Sequence, residues 1–131
     1  MGNTLPDYPK YAVWPDAYYL SFNAYGNGGS SFSGAEPCAM DRAALLVGGA
    51  AAVICFAPDA SNASFLPSDV DGTTPPPTGD PKHYIELGSS TSVLNEFDFH
   101  VDFTNPGNST FTGPNPIAVP SFAVICQQDS H

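Results

Sequence analysis

The sequence predicts an all-β domain of antiparallel strands with little helix, built as a β-sandwich or from propeller-like blades. Three observations predict it. Fourteen prolines and twelve glycines in 131 residues leave no room for long helices. They gather where turns belong: Pro15-Asp16, Gly26 to Gly29, Pro75 to Pro77, and Gly113 to Pro116. Between them run short stretches rich in aromatic and β-branched residues, several of which alternate apolar and polar. The length fits one domain spanning residues 1–131, and a fragment of a larger extracellular protein would read the same way.

The elements follow in order. "YAVW" (Tyr11–Trp14) and "AYYLSFNAY" (Ala17–Tyr25) flank Pro15-Asp16 and read as a hairpin. "PCAMDRAALLVG" reads equally as a helix that Asp41 can cap or as a strand with one helical turn. "AAAVICFA" (Ala50–Ala57) is apolar on both faces, the pattern of a buried central strand. "HYIELG" (His83–Gly88) alternates, and "SFAVICQQ" (Ser121–Gln128) reads as a closing strand. "NEFDFHVDF" (Asn95–Phe103) alternates most cleanly. Phe97, Phe99, Val101 and Phe103 form an apolar face; Glu96, Asp98, His100 and Asp102 form a polar one.

Charge excludes several functions. Three Lys+Arg stand against thirteen Asp+Glu, a net charge of −10. Nucleic-acid backbones and anionic membranes both need basic surface, so neither is an expected partner. Cations and neutral ligands such as carbohydrate remain. No apolar run reaches the roughly 18 residues of a membrane span. Phosphate loops, dinucleotide fingerprints, G-x-S-x-G and H-E-x-x-H are absent. The polar surface is made of Ser, Thr, Asn and Gly rather than charge pairs, a secreted style. It carries two N-x-[ST] sequons, at Asn62 and Asn108.

Four places could carry chemistry. On the polar face of Asn95–Phe103, residues two apart lie about 6.5–7 Å from each other. That lets His100 pair with Asp98 or Asp102, as an acid–base pair or a metal site. The competing reading is a wet acidic strand face. "LPSDVDGTTPPPTGDP" (Leu66–Pro81) offers Asp69 and Asp71 to a calcium ion, although the acidic residue that would close an EF-hand loop is missing. Its competitor is a plain Asx-turn. Trp14, Tyr18 and Tyr19 belong to an aromatic-rich stretch that could stack on sugar rings or simply pack. Cys38 and Cys55 flank Gly48-Gly49, so antiparallel strands could join them in a disulfide with Cys126 outside it. All three as reduced core residues is the alternative. No C-x-x-C or Cys/His cluster suggests structural zinc.

Taken together, "DYPKYAVWPDAYYLSFNAY", "CAMDRAALLVGGAAAVICF", "LPSDVDGTTPPPTGDP" and "FHVDFTNPGNSTFTGP" resemble a propeller-like segment of large secreted bacterial proteins. The resemblance runs from Asp7 to Cys126. It implies extracellular location and β-blade architecture, and brings no site residues with it. The expected function is a secreted β-rich binding or scaffold module, facing glycans and ordered by calcium. Two alternatives stand beside it. One is a metal-dependent or acid–base enzyme acting on polysaccharide. The other is a structural unit that self-associates through exposed strand edges.

Overall fold

The computed structural model describes residues 4–57 and 59–123. Within them the chain forms eight strands and one short helix: β1 (Leu5–Val13), β2 (Ala17–Gly26), β3 (Ser31–Asp41), α1 (Arg42–Leu46), β4 (Val53–Cys55), β5 (Leu66–Pro67), β6 (Lys82–Leu87), β7 (Val93–His100) and β8 (Thr110–Ala118). They make two four-stranded antiparallel meanders, β1-β2-β3-β4 and β5-β6-β7-β8. The all-β class holds, with the strand periodicity as its cause. β2 buries its alternate residues Ala17, Tyr19, Ser21 and Asn23, and β6 buries Lys82, Tyr84 and Glu86.

The two sheets share one core, and that core is aromatic. Tyr19 of β2 meets Phe99 of β7 edge-on at 5.3 Å between ring centroids. Phe65 lies 4.8 Å from Phe97, and Phe97 stacks on Phe111 of β8 at 5.4 Å. Such offset and edge-to-face pairs satisfy ring quadrupoles while burying large areas. Polar atoms tie the sheets where rings cannot. The Tyr84 hydroxyl donates to the Leu20 carbonyl at 3.2 Å, and Ser21 Oγ donates to the Phe65 carbonyl at 2.6 Å. Asn23 and Ser64 exchange two hydrogen bonds. Gly34 admits the loop beside β3: a Cβ there would stand 2.2 Å from the Asp59 carbonyl oxygen, and its φ of +117° suits glycine alone.

Several local readings change. "AAAVICFA" is not a buried central strand. Only Val53–Cys55 pairs, at a sheet edge, and Val53 is 57% exposed. Its apolarity reflects small alanines rather than burial on both faces. Strand β7 ends at His100, so Asp102 and Phe103 lie beyond the ladder. β8 runs through Pro114 and Pro116, which read as turn residues in the sequence. An edge strand tolerates proline because one side of it needs no N–H. Asp41 caps α1 as expected, its carboxylate accepting from the Ala44 N–H at 3.1 Å. Ser121–Ala123 form no strand. The remainder of the expected closing strand, with Cys126, lies outside the described residues.

Cys38 and Cys55 stand opposite each other on β3 and β4, 4.1 Å apart at Cα, and form a disulfide. No helix among the described residues is long and apolar enough to cross a membrane.

Candidate functional site

The polar residues that matter gather at the start of β6 and on the outward face of β6–β7. The pairing register sets this. His83 stands directly opposite Asp98, and Ile85 opposite Glu96. Residues on one face of an antiparallel pair meet across it, so the His83 imidazole reaches both carboxylates. Its Nδ1 lies 2.8 Å from Asp98 Oδ1 and 3.5 Å from Glu96 Oε1. Its Nε2 lies 3.7 Å from Asp80 Oδ2. The Trp14 indole packs edge-on against the imidazole at 6.2 Å and donates from Nε1 to the Asp80 carbonyl at 3.3 Å. A bulge in the β7–β8 register falls between Glu96 and Asp98.

Thus Asp98 is paired with a histidine, and the histidine is His83. His100 is exposed, stands opposite Thr110, and among the described residues has no carboxylate within ion-pair distance. Asp102 is turned to another task. It accepts hydrogen bonds from the Thr104 and Asn105 N–H groups at 2.9 and 2.8 Å and from Asn108 Nδ2 at 3.2 Å. Those donors hold its carboxyl below the usual range, the Asn105 N–H first among them. The sequence signal for His83 was its place at the head of an alternating run. What it lacked was the cross-strand register.

Asp69 and Asp71 are exposed. Asp69 Oδ1 accepts from the Val13 N–H at 2.7 Å and from its neighbour Val70 at 3.0 Å, which staples the long loop to the end of β1. Among the described residues two groups of potential metal ligands converge: His83, Glu96 and Asp98, and Glu36 with Cys38 and Cys55. The second has its sulfurs bonded to each other. Asp69 and Asp71 belong to neither.

Of the three aromatic residues considered for sugar stacking, Trp14 and Tyr19 are core residues, 7% and 0% exposed. No ring face of Tyr19 is open to a ligand. Tyr18 is half-buried and lies under the Arg42 guanidinium, 5.8 Å from ring centroid to Cζ. Lys10 Nζ stands 3.7 Å from the Tyr8 ring centroid, and Lys82 Nζ stands 4.4 Å from that of Trp14. Every Lys and Arg of the chain therefore sits over an aromatic ring. Among the described residues, none makes an ion pair with a carboxylate.

Lys82 is the least conventional of these. It is fully buried, and its Nζ has no hydrogen-bond partner among the described residues. Burial pulls its pKa down from 10.5 to about 8, opposed by the nearby Asp69 and Asp16 carboxylates. Asp16 also accepts from the Tyr19 hydroxyl at 3.1 Å.

Beside this group opens a cleft of about 410 Å³, lined by Trp14, Pro15, Asp16, Pro75 to Asp80, and His100. Its apolar walls are the indole and the proline rings; its polar groups are two carboxylates, a threonine and an imidazole. His83 does not line it, but two of its walls, Trp14 and Asp80, touch His83. Compared with family models, curated proteins and solved structures, the chain matches none.

Proposed function

We propose that the chain is an extracellular β-rich binding module whose ligand site is the cleft between Trp14 and the triple proline, and that its ligand is a neutral, hydroxyl-rich molecule such as an oligosaccharide. The observation that carries this reading is the chemistry of the cleft lining. The proline rings, with the small exposed part of the otherwise buried indole, offer apolar surface for a sugar's C–H groups. Asp16, Asp80, Thr78 and His100 offer acceptors and donors for hydroxyl groups. All three Lys and Arg side chains are engaged over rings, and the net charge is −10. Both disfavour an anionic ligand.

Each sheet is a four-stranded meander, which fits a blade, and the two share one core, which fits a sandwich. The disulfide supports an oxidising, extracellular setting. Non-reducing peptide mapping checks it: Cys38 and Cys55 are expected in one linked peptide, and free thiols at both would remove that support. Self-association through sheet edges is less favoured. Edge strand β1 carries Pro6, Pro9 and a register shift, and edge strand β8 carries Pro114 and Pro116. The enzyme reading has one observation in its favour, the 2.8 Å contact of His83 with Asp98. His83 lies outside the cleft lining, so a substrate held there would not meet it.

Trp14 is the single tryptophan, so emission excited selectively at the indole reports on a wall of the cleft. Titration with a panel of neutral oligosaccharides should give a saturable change with at least one. His100→Ala should weaken that binding. A flat response across the panel, or binding indifferent to both His100→Ala and Asp16→Ala, would count against the cleft.

A further inference from the structure

We propose that His83, Glu96 and Asp98 bind one divalent transition-metal ion of the zinc type. This inference does not rest on the sugar reading of the cleft. The three residues offer one imidazole nitrogen and two carboxylate oxygens, and these donor atoms lie within 4.8 Å of one another. Two consecutive antiparallel strands supply them, with His83 and Asp98 in direct register and Glu96 one step along the same face. Glu96 and Asp98 are two apart on β7, and the unbroken register with β6 puts both carboxylates on the face that carries the ring.

Three further features favour a metal over a proton or a protein cation. The carboxylates have no ammonium or guanidinium to offset them, because all three such groups sit over aromatic rings elsewhere. The imidazole is already oriented: Trp14 packs on its edge, and Asp80 stands at the nitrogen that faces away from Glu96 and Asp98. A carboxylate on the far nitrogen of a ligating histidine fixes the ring and raises its basicity. Asp80 is itself held, its carbonyl accepting from the indole N–H. The donor set selects the ion. Calcium wants six to eight oxygens, whereas an N/O set with one imidazole suits zinc, cobalt or manganese, with water completing the shell.

The test uses the intact protein with Co2+ and Zn2+. Titration with Co2+ should give a saturable visible d–d band at one equivalent, without the thiolate charge-transfer band that a site involving Cys126 would show. Zn2+ should compete it away, and Ca2+ should not. His83→Ala should abolish the band, while His100→Ala, the other imidazole on this face, should leave it unchanged. Asp80→Asn should weaken binding by about 10–100-fold, the usual effect of losing the group that orients a ligand. Thermal melts of His83→Ala verify that it folds. A second variant, Asp98→Asn, repeats the test without touching the ring. A band that survives both variants, that shows thiolate character, or that His100→Ala removes would overturn the proposal. So would saturation by neither metal. Oligosaccharide binding is read separately from Trp14 emission at fixed metal, so either result can fail alone.

Discussion

Lys82 and His83 are neighbours in sequence, and the pleat sends them to opposite sides of the same sheet. Lys82 goes inward, into an aromatic enclosure of Trp14 and Tyr19, with no hydrogen-bond partner. His83 goes outward, among three carboxylates that have no other basic group beside them among the described residues. One residue of register separates a buried ammonium over aromatic rings from a cluster of carboxylates around one imidazole. Had Lys82 faced outward, it would neutralise Glu96 and Asp98, and the outer face would be an ordinary salt-bridged surface. The alternation that builds the core also withholds the charge that would close the outer cluster. That is what leaves the outer face open to an external cation.

The largest effect that can break this comparison lies on the inward side. Phe99 is fully buried against Tyr19, Phe56, Tyr84 and Phe111. Phe99→Ala should cost about 3–5 kcal/mol by chemical denaturation, from lost burial and the cavity left behind. A cost under about 1 kcal/mol would mean that the inward face is not the core.

Lys82→Met sharpens the comparison next, and its sign is the informative part. The folded protein holds the Lys82 pKa near 8, below its ordinary 10.5, because burial penalises the ammonium. The unfolded chain therefore binds more protons than the folded one between about pH 8 and 10.5. Stability from this group rises with pH across that window, and the full penalty applies below about pH 8. Replacement by Met should stabilise the protein by about 1 kcal/mol at pH 7, because the lost cation–π contact offsets part of the relief. The advantage should vanish toward pH 10.5. Tyr19 and Tyr84, whose pKa values burial pushes up, act in the opposite sense. Their contribution is complete below their ordinary pKa of 10 and is lost as pH rises above it. The difference between wild-type and Lys82→Met melting curves cancels the tyrosines and isolates the lysine. Destabilisation at pH 7 would show that the ammonium has a partner worth more than its desolvation.

These residues also mark how far the sequence could be read. The alternation of Asn95–Phe103 gave the inward phenylalanines correctly, since period two depends only on the local backbone. The hairpin at Pro15-Asp16 and the Asp41 cap are local too, and both are present. The Cys38–Cys55 disulfide, expected from two strands flanking a turn, is present as well; what failed was the partner of Asp98 and the burial of Val53–Cys55. Asp98 meets His83 because β6 and β7 are in a particular register, fixed by the short turn between Leu87 and Val93 and by the shared core. Sequence neighbours such as His100 and Asp102 gave the wrong partner because β7 ends between them, where Asp102 turns to bind its own loop. The exposed edge position of Val53–Cys55 was hidden for the same reason: apolar composition does not say how many strands lie beside a strand. Trp14 and Tyr19 looked equally fit for a surface or a core, and burial is a tertiary fact.

The smallest effect is the one that separates the two imidazoles on the outer face. His100 is exposed and faces Thr110 on an edge strand. His100→Ala should change stability by less than about 0.5 kcal/mol, as at an ordinary surface position. His83 is partly covered by Trp14 and held by Asp98. Among the described residues, its removal deletes the one basic group beside Asp80, Glu96 and Asp98, leaving carboxylates that repel across the strands. His83→Ala should therefore destabilise more than His100→Ala in low salt. Added salt should narrow the gap, because screening weakens the repulsion between these half-exposed carboxylates. Melting both variants at low and high ionic strength gives the answer in one series. Equal effects at every salt concentration would mean that the outer cluster is a wet strand face with no special role for His83. A gap that closes with salt would show that the carboxylates share one field, with His83 at its centre.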